Sequence, residues 1–273
     1  MFEQSLTDFK RQHPSLPILI LLPVADSSGA IFDMTSQLIQ AARLLGESRV
    51  LLAYAMEDAT KNNRDGVHKQ SMETSRTLHS AKVLHRMQYT NGLDTWIDRA
   101  LFGYMIDFDV AVIVRGVICA SDLIRLIMQT INNSADLTCA VDISFDSDRR
   151  PVMNEGNIDI SYNRPISSKT LLRTSRKFIQ ARCCDSSVKV IRLRSLRPAG
   201  PLPYDCPQIL ASQPQSTLAR PVHPHPGEVY TPKIMISPSV KASSNPDDFR
   251  SAMQLGYMDL QGYDYRAIEW KEI

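Results

Sequence analysis

Two apolar runs without alternation constrain the fold of this chain most. Leu16–Val24 reads LPILILLPV and Phe108–Val114 reads FDVAVIV, and each has the length of a strand. A strand whose apolar residues do not alternate with polar ones is buried on both faces, as in a parallel sheet covered by helices. Both runs are far shorter than the roughly 20 apolar residues that a membrane helix needs, so we predict no membrane span in this chain.

The segments around these runs alternate between strand and helix patterns. Helical spacing over Phe32–Leu45 ends at Gly46, and a second buried strand follows at Arg49–Met56. The later patterns predict a strand at Ala81–Met87, a helix at Gly92–Tyr104, the strand at Phe108–Val114, a helix with Ser121 as its N-cap, and a strand at Thr138–Ile143. This order predicts an α/β fold with a mixed, mostly parallel sheet and helices on both faces.

The character of the chain changes after residue 150. Ser167–Ala181 predicts a basic amphipathic helix, and the alternation of VKVIRL at Val188–Leu193 predicts a half-exposed strand. Ten of the 16 prolines lie between residues 198 and 238, which predicts little regular structure there except for one strand at Lys233–Ser237. We therefore divide the chain into an N-terminal arm at 1–15, an α/β domain at 16–197, a Pro-rich loop at 198–230, and a C-terminal strand and tail at 231–273 that pack on the same domain.

The net charge and the first residues of the chain bear on its binding partners and its cellular location. The formal net charge is only +2, so the overall charge of the chain does not favour binding to nucleic acid. The first 14 residues carry charges at Glu3, Asp8, Lys10 and Arg11 and show no apolar signal core. The sequence therefore predicts no nucleic-acid partner, and it leaves a cytoplasmic location open.

The five cysteines show no zinc-type spacing. Cys119 and Cys139 lie in apolar runs, so we predict that they are small core residues. Cys183 and Cys184 are adjacent and cannot easily bridge each other, but in an oxidising compartment one bridge from Cys206 to this pair stays open.

Several strings resemble the fungal capsule-associated α-1,3-mannosyltransferases, glycosyltransferase family 69. The similarity runs from about Ile18 to about Ala242 and is stronger in the hydrophobic skeleton than in the functional motifs. The strings that carry it are ILILLPVADSS, LLGESRVLLAYAMED, WIDRAL, FDVAVIVRGVICASDLIRLI, CAVDISF, LLRTSRKFIQARCCDSSVKVIRLRSLRP and PKIMISPSVKA. This resemblance implies a GT-A-like fold of the nucleotide-sugar-transferase type, transfer of mannose from GDP-mannose to a glycan acceptor, and a Golgi or secretory location.

The resemblance also places the candidate site. The family's metal and nucleotide motif falls on Arg115-Gly116-Val117, where the acidic residue that would hold Mn²⁺ or Mg²⁺ is missing. Arg115 is instead a cation that can bind phosphate oxygens bidentately. The sequence thus predicts a degenerate metal motif and nucleotide binding that does not depend on the cation.

Four acidic residues complete the predicted site. Asp142 lies in CAVDISF, similar to the family's strand ending in Leu-Asp-Phe, and is the candidate catalytic carboxylate. Asp26 follows the first strand, and Glu57 and Asp58 follow the second, where a carboxylate can accept hydrogen bonds from a ribose or base. The resemblance implies a mannosyltransferase-like enzyme. A catalytically inactive homologue that binds nucleotide or glycan, or serves as a scaffold, is the alternative.

Overall fold

The computed structural model of the chain describes residues 2–24, 30–46, 49–56, 85–87, 101, 107–146, 151–153, 158–159, 178–181, 183–184, 186–193 and 233–254. Its helices are α1 (Phe2–Gln12), α2 (Ala30–Leu45), α3 (Ala120–Asn132) and α4 (Pro246–Gln254). Its strands are β1 (Ile18–Val24), β2 (Val50–Met56), β3 (His85–Met87), β4 (Val110–Val114), β5 (Val117–Ile118), β6 (Leu137–Phe145), β7 (Pro151–Met153), β8 (Ile158–Asp159), β9 (Ile179–Ala181), β10 (Cys183–Cys184), β11 (Val188–Arg192) and β12 (Ile234–Ser243).

A ten-stranded mixed sheet organises the described part of the chain. Eight strands lie in the order β3-β2-β1-β4-β11-β6-β12-β5, with β7 paired to β6 and β9 paired to β12. Strand β1 runs parallel to β2 and to β4, and β6 runs parallel to β12. Strand β11 is antiparallel to both of its neighbours, so β4 and β6 point the same way. The predicted α/β class with a mostly parallel sheet is therefore confirmed.

The two apolar runs form the centre of this sheet. Ile18 of β1 pairs with Val50 on one side and with Val110 on the other. Leu19, Leu21 and all the residues of β4 are buried, as expected for strands covered on both faces.

Helices cover both faces of the sheet, as predicted. On one face Leu6 of α1, Leu38 of α2 and Leu123 of α3 share a core with Ile20 and Val112. On the other face Leu19, Ile113 and Leu137 pack with Leu101, which has helical backbone. Helix α4 forms a third cluster with β5 and the end of β6. No helix in the described ranges is long and apolar enough to cross a membrane.

The structure corrects three local predictions. Residues Ile179–Ala181, predicted as the end of a helix, form a strand beside β12. Strand β11, predicted to be half-exposed, is buried between β4 and β6. The N-cap of α3 is Cys119 rather than Ser121, and the first helical N–H, that of Ala120, donates to Gln37 Oε1 of α2 at 3.0 Å.

Two predicted segments contain more regular secondary structure than the sequence analysis predicted. The arm at 1–15 contains α1, whose Leu6 and Phe9 are buried in the core. The C-terminal strand is longer than predicted and lies between β6 and β5 within the sheet. The Pro-rich loop at 198–230 lies outside the described residues, and the division of the chain into domains stays a proposal.

A disulfide joins Cys139 of β6 to Cys184 of β10. Both cysteines are fully buried, so Cys139 is a core residue as predicted, but it is not a free thiol. Cys119 is a free buried cysteine. Cys206 lies outside the described residues, so a bridge from it is untested, although Cys184 already has another partner.

Candidate functional site at the carboxyl edge of the sheet

Six of the described strands end at one edge of the sheet, which we call the carboxyl edge. All of them point toward it: β1, β2, β3, β4, β6 and β12. Because β11 is antiparallel, it begins at this edge, where Val188 pairs with Val114. The residues just before β11 therefore lie beside the residues just after β4.

The order of the strands marks one crevice on this edge. The chain passes from β1 outward to β2 and β3, and then returns to place β4 on the other side of β1. Such a reversal leaves a crevice beyond the ends of the two strands, and open α/β sheets bind their ligands there. The residues that follow β1 and β4 are therefore the first candidates for ligand contacts.

The turn after β4 consists of Arg115 and Gly116. The Arg115 N–H donates to Ser187 O at 2.6 Å. A Cβ on Gly116 would lie 2.5 Å from Ser243 O and 2.7 Å from Ser187 Cβ, so only glycine fits between these two segments without movement. This turn is thus held closely against the starts and ends of neighbouring strands, while the Arg115 side chain is half-buried at the edge.

The Asp142 carboxylate binds the segment that the Arg115 turn rests on. Its Oδ2 accepts the Ser187 N–H at 2.8 Å, and its Oδ1 accepts the hydroxyls of Ser187 at 2.5 Å and Ser186 at 3.2 Å. The side chain is half-buried near the end of β6. Hydrogen bonds to a carboxylate are charge-assisted and therefore stronger than neutral ones. Asp142 ties β6 to the start of β11.

Two of the five predicted site residues are thus placed together. Arg115 and Asp142 both contact Ser187, one through its backbone N–H and the other through its carboxylate. Asp26, Glu57 and Asp58 lie outside the described residues. The sequence did not single out Ser186 and Ser187, and the only local signal for them is their position just before the apolar strand β11.

Comparisons with known proteins give no family for the chain. No protein-family model matches it, and no curated protein matches it. The resemblance to glycosyltransferase family 69 therefore stays a prediction.

Similar solved structures share little sequence with the chain. TarS 1-349 from S. aureus has a TM-score of 0.47 at 12% identity, over 88% of this chain and 64% of TarS 1-349. Mannosyltransferase PcManGT from Pyrobaculum calidifontis, in complex with GDP-Man and Mn²⁺, has a TM-score of 0.45 at 10% identity, over 72% of this chain and 58% of its own. Glucosyl-3-phosphoglycerate synthase from Mycobacterium tuberculosis has a TM-score of 0.41 at 9% identity, over 71% of this chain and 63% of its own. The chain thus spans less than two thirds of each of these three chains.

The residues described at the carboxyl edge do not fit a divalent cation. A hard cation such as Mn²⁺ or Mg²⁺ takes several oxygen ligands, above all carboxylates. The turn after β4 instead carries a guanidinium, and the Asp142 carboxylate already accepts three hydrogen bonds. Within the described ranges, no three His, Cys, Asp or Glu side chains are grouped so that they could hold a metal.

A second group of charged residues lies on the α3 side of the edge. Lys241 of β12 is 5% exposed, and its Nζ donates to Pro238 O. Burial lowers the pKa of Lys241 to about 8, and the Asp122 carboxylate partly opposes this shift. Asp122 is also buried, and it pairs with Arg125 at 3.4 Å. Burial, with a smaller contribution from Asp122, raises the pKa of the Cys119 thiol.

Proposed function

We propose that this protein binds a nucleoside diphosphate sugar in the crevice between the ends of β1 and β4. The observation that carries the proposal is the reversal of strand order at β1 and β4, with Arg115 in the turn directly after β4. A guanidinium at this position can bind two phosphate oxygens at once. We further propose that the activity is that of a mannosyltransferase-like glycosyltransferase, with GDP-mannose as donor and a glycan as acceptor.

Different residues at the carboxyl edge bind different parts of such a donor in this proposal. Arg115 neutralises part of the charge of the diphosphate, which is the leaving group when a sugar is transferred. Asp26, Glu57 and Asp58 follow β1 and β2 in sequence and are the candidates for hydrogen bonds to the ribose and base. The catalytic role predicted for Asp142 stays a prediction, and its three hydrogen bonds favour a structural contribution to the site.

A catalytically inactive nucleotide- or glycan-binding module is the second candidate. It is favoured by the chemistry of the described edge, where a cation follows β4 and the Asp142 carboxylate is engaged by serines. The enzyme and a module that binds nucleotide differ in whether the bound donor is turned over. Release of GDP from GDP-mannose in the presence of glycan acceptors supports the enzyme, whereas binding without turnover supports the module.

Replacing Arg115 by alanine will weaken GDP binding tenfold or more. A charge-assisted contact to phosphate is worth about 1.5–3 kcal/mol, and each 1.4 kcal/mol corresponds to a factor of ten in affinity. Isothermal titration of GDP against the wild type and Arg115→Ala measures the difference. Arg192→Ala is the matched control, because Arg192 ends β11 at the opposite edge of the sheet.

The same titration tests the role of metal. We expect the affinity for GDP to be the same in EDTA and in Mn²⁺, and Arg115→Ala to reduce it more than Asp142→Asn does. A strict requirement for Mn²⁺, together with loss of all binding in Asp142→Asn, would restore an ordinary metal-dependent transferase. No binding of GDP, GDP-mannose or UDP to the wild type would refute the proposed function itself.

A further inference from the structure

Two attachments fix the same short segment to β6. The disulfide joins Cys184 to Cys139, and the hydrogen bonds of Ser186 and Ser187 go to Asp142. Cys139 and Asp142 are three residues apart on β6, as are Cys184 and Ser187 along the segment. At about 3.3 Å per residue the two attachments lie roughly 10 Å apart along β6.

The segment attached in this way contacts the turn after β4. Ser187 O accepts the Arg115 N–H, and Ser187 Cβ lies against the open side of Gly116. Any shift of Ser187 therefore moves the hydrogen-bond acceptor of Arg115 and the surface on which Gly116 rests. The position of the Arg115 turn depends on how firmly Cys184, Ser186 and Ser187 are held.

We propose that Asp142 and the Cys139–Cys184 disulfide are positioning elements that together set the place of the Arg115 turn for phosphate binding. This inference rests on the proposed function of the carboxyl edge. Neither element is assigned a contact with the ligand. Each acts through Ser187, one by hydrogen bonds to its N–H and hydroxyl and the other by a covalent link three residues earlier.

The disulfide and the two serines of these attachments are buried, which helps to hold the segment in place. The disulfide sulfurs belong to residues with no exposed surface, and Ser186 and Ser187 are 5% and 8% exposed. The hydrogen bonds to the half-buried Asp142 carboxylate are charge-assisted and reach serines that are themselves buried, and a covalent link limits how far the segment can open. Loss of either attachment leaves the segment held at one point, so we expect local opening there while the centre of the sheet stays closed.

Amide hydrogen exchange tests this without any ligand. The variants are Asp142→Asn and the double variant Cys139→Ala/Cys184→Ala, and the readout is the Arg115 amide, which neither variant alters directly. We expect exchange at Arg115 to rise tenfold or more in both variants. The amide of Ile20 in β1 serves as an internal reference, because it follows only global opening of the sheet.

Two control variants separate this effect from a general loss of stability. Asp136→Asn removes the charge from a similar brace at the opposite edge, where Asp136 Oδ2 accepts the Lys233 N–H at 2.7 Å. Cys119→Ala removes a buried cysteine that is not in the disulfide. We expect exchange at Arg115 to change no more than exchange at Ile20 in either control.

Titration with GDP completes the test. We expect Asp142→Asn and the double alanine variant to bind GDP three- to tenfold more weakly, equally in EDTA and in Mn²⁺. Unchanged exchange at Arg115, or faster exchange with unchanged GDP affinity, overturns the positioning role. If the wild type binds no GDP while exchange at Arg115 rises as expected, the attachments hold the turn but the proposed function of the edge fails.

Discussion

Replacing Gly116 by alanine will displace the Arg115 turn and weaken GDP binding tenfold or more. The added methyl would lie 2.5 Å from Ser243 O and 2.7 Å from Ser187 Cβ, and the former contact is with backbone that cannot rotate away. Overpacking of this kind costs about 1–3 kcal/mol of stability. The backbone next to the Arg115 N–H must move, and the guanidinium moves with it.

Gly46→Ala is a matched control for the stability loss alone. Gly46 follows α2 with a φ of +109°, so alanine is strained there as well, at a cost of about 1–2 kcal/mol. It precedes β2, at the edge of the sheet opposite to the proposed site. Denaturant unfolding measures the stability of both variants, and titration with GDP measures their affinity for GDP. If Gly116→Ala binds GDP as tightly as Gly46→Ala does, the turn after β4 is not part of the binding site.

The central strands were predictable because burial on both faces leaves a signature in the sequence itself. Leu19, Leu21, Val110 and Val112 lie in runs that contain almost no polar residue, which is the composition typical of a strand covered on both faces. Helix α2 was predictable for a similar reason, since its apolar spacing and the glycine after it are local features. Each of these predictions needed only neighbouring residues.

Strand β11 was predicted at the right place, but its half-exposure was wrong because its burial depends on segments far away in the sequence. Its sequence alternates, and Lys189 at its second position is typical of an exposed face. In the structure Lys189 is only 4% exposed, because it lies beside Ile113 of β4 and Cys139 of β6 on a covered face of the sheet. The insertion of an antiparallel strand between two parallel ones follows from the pairing of segments far apart in sequence, and alternation carries no information about it.

Only part of the candidate site could be predicted, because its residues also come from segments far apart in sequence. The positions of Arg115 and Asp142 after or near the ends of parallel strands placed both at one edge. The residue that connects them, Ser187, lies 45 residues after Asp142, and nothing in its sequence neighbourhood marks it as a partner. The pairing of Cys139 with Cys184 has the same separation of 45 residues, and the order of cysteines alone does not give it.

Raising the pH from 8 to about 10.5 will stabilise the wild type relative to Lys241→Met. The pKa of Lys241 is lowered from 10.5 to about 8 in the folded protein, mainly by burial. Between these values the unfolded chain binds more protons than the folded one, so the free energy of unfolding rises with pH. At 1.36 kcal/mol per pKa unit, the contribution of this single group reaches at most about 3 kcal/mol.

Cys119 affects the same pH range with the opposite sign. Burial raises the pKa of its thiol above the usual 9.0, so above pH 9 the unfolded chain loses a proton that the folded chain keeps. Its contribution to stability therefore falls as the pH rises. The wild type alone shows the sum of both effects, whereas the comparison with Lys241→Met retains Cys119 in both proteins and isolates the lysine.

Urea unfolding at pH 7, 8, 9 and 10 measures this difference. Lys241→Met loses the hydrogen bond to Pro238 O and the electrostatic attraction to Asp122, so the sign of the difference at pH 7 alone decides nothing. The decisive quantity is its slope, which should favour the wild type increasingly from pH 8 to pH 10. Lys233→Met, at an exposed lysine just before β12, is the control and should show a smaller slope. Equal slopes in the two variants would mean that the burial of Lys241 in β12 does not lower its pKa.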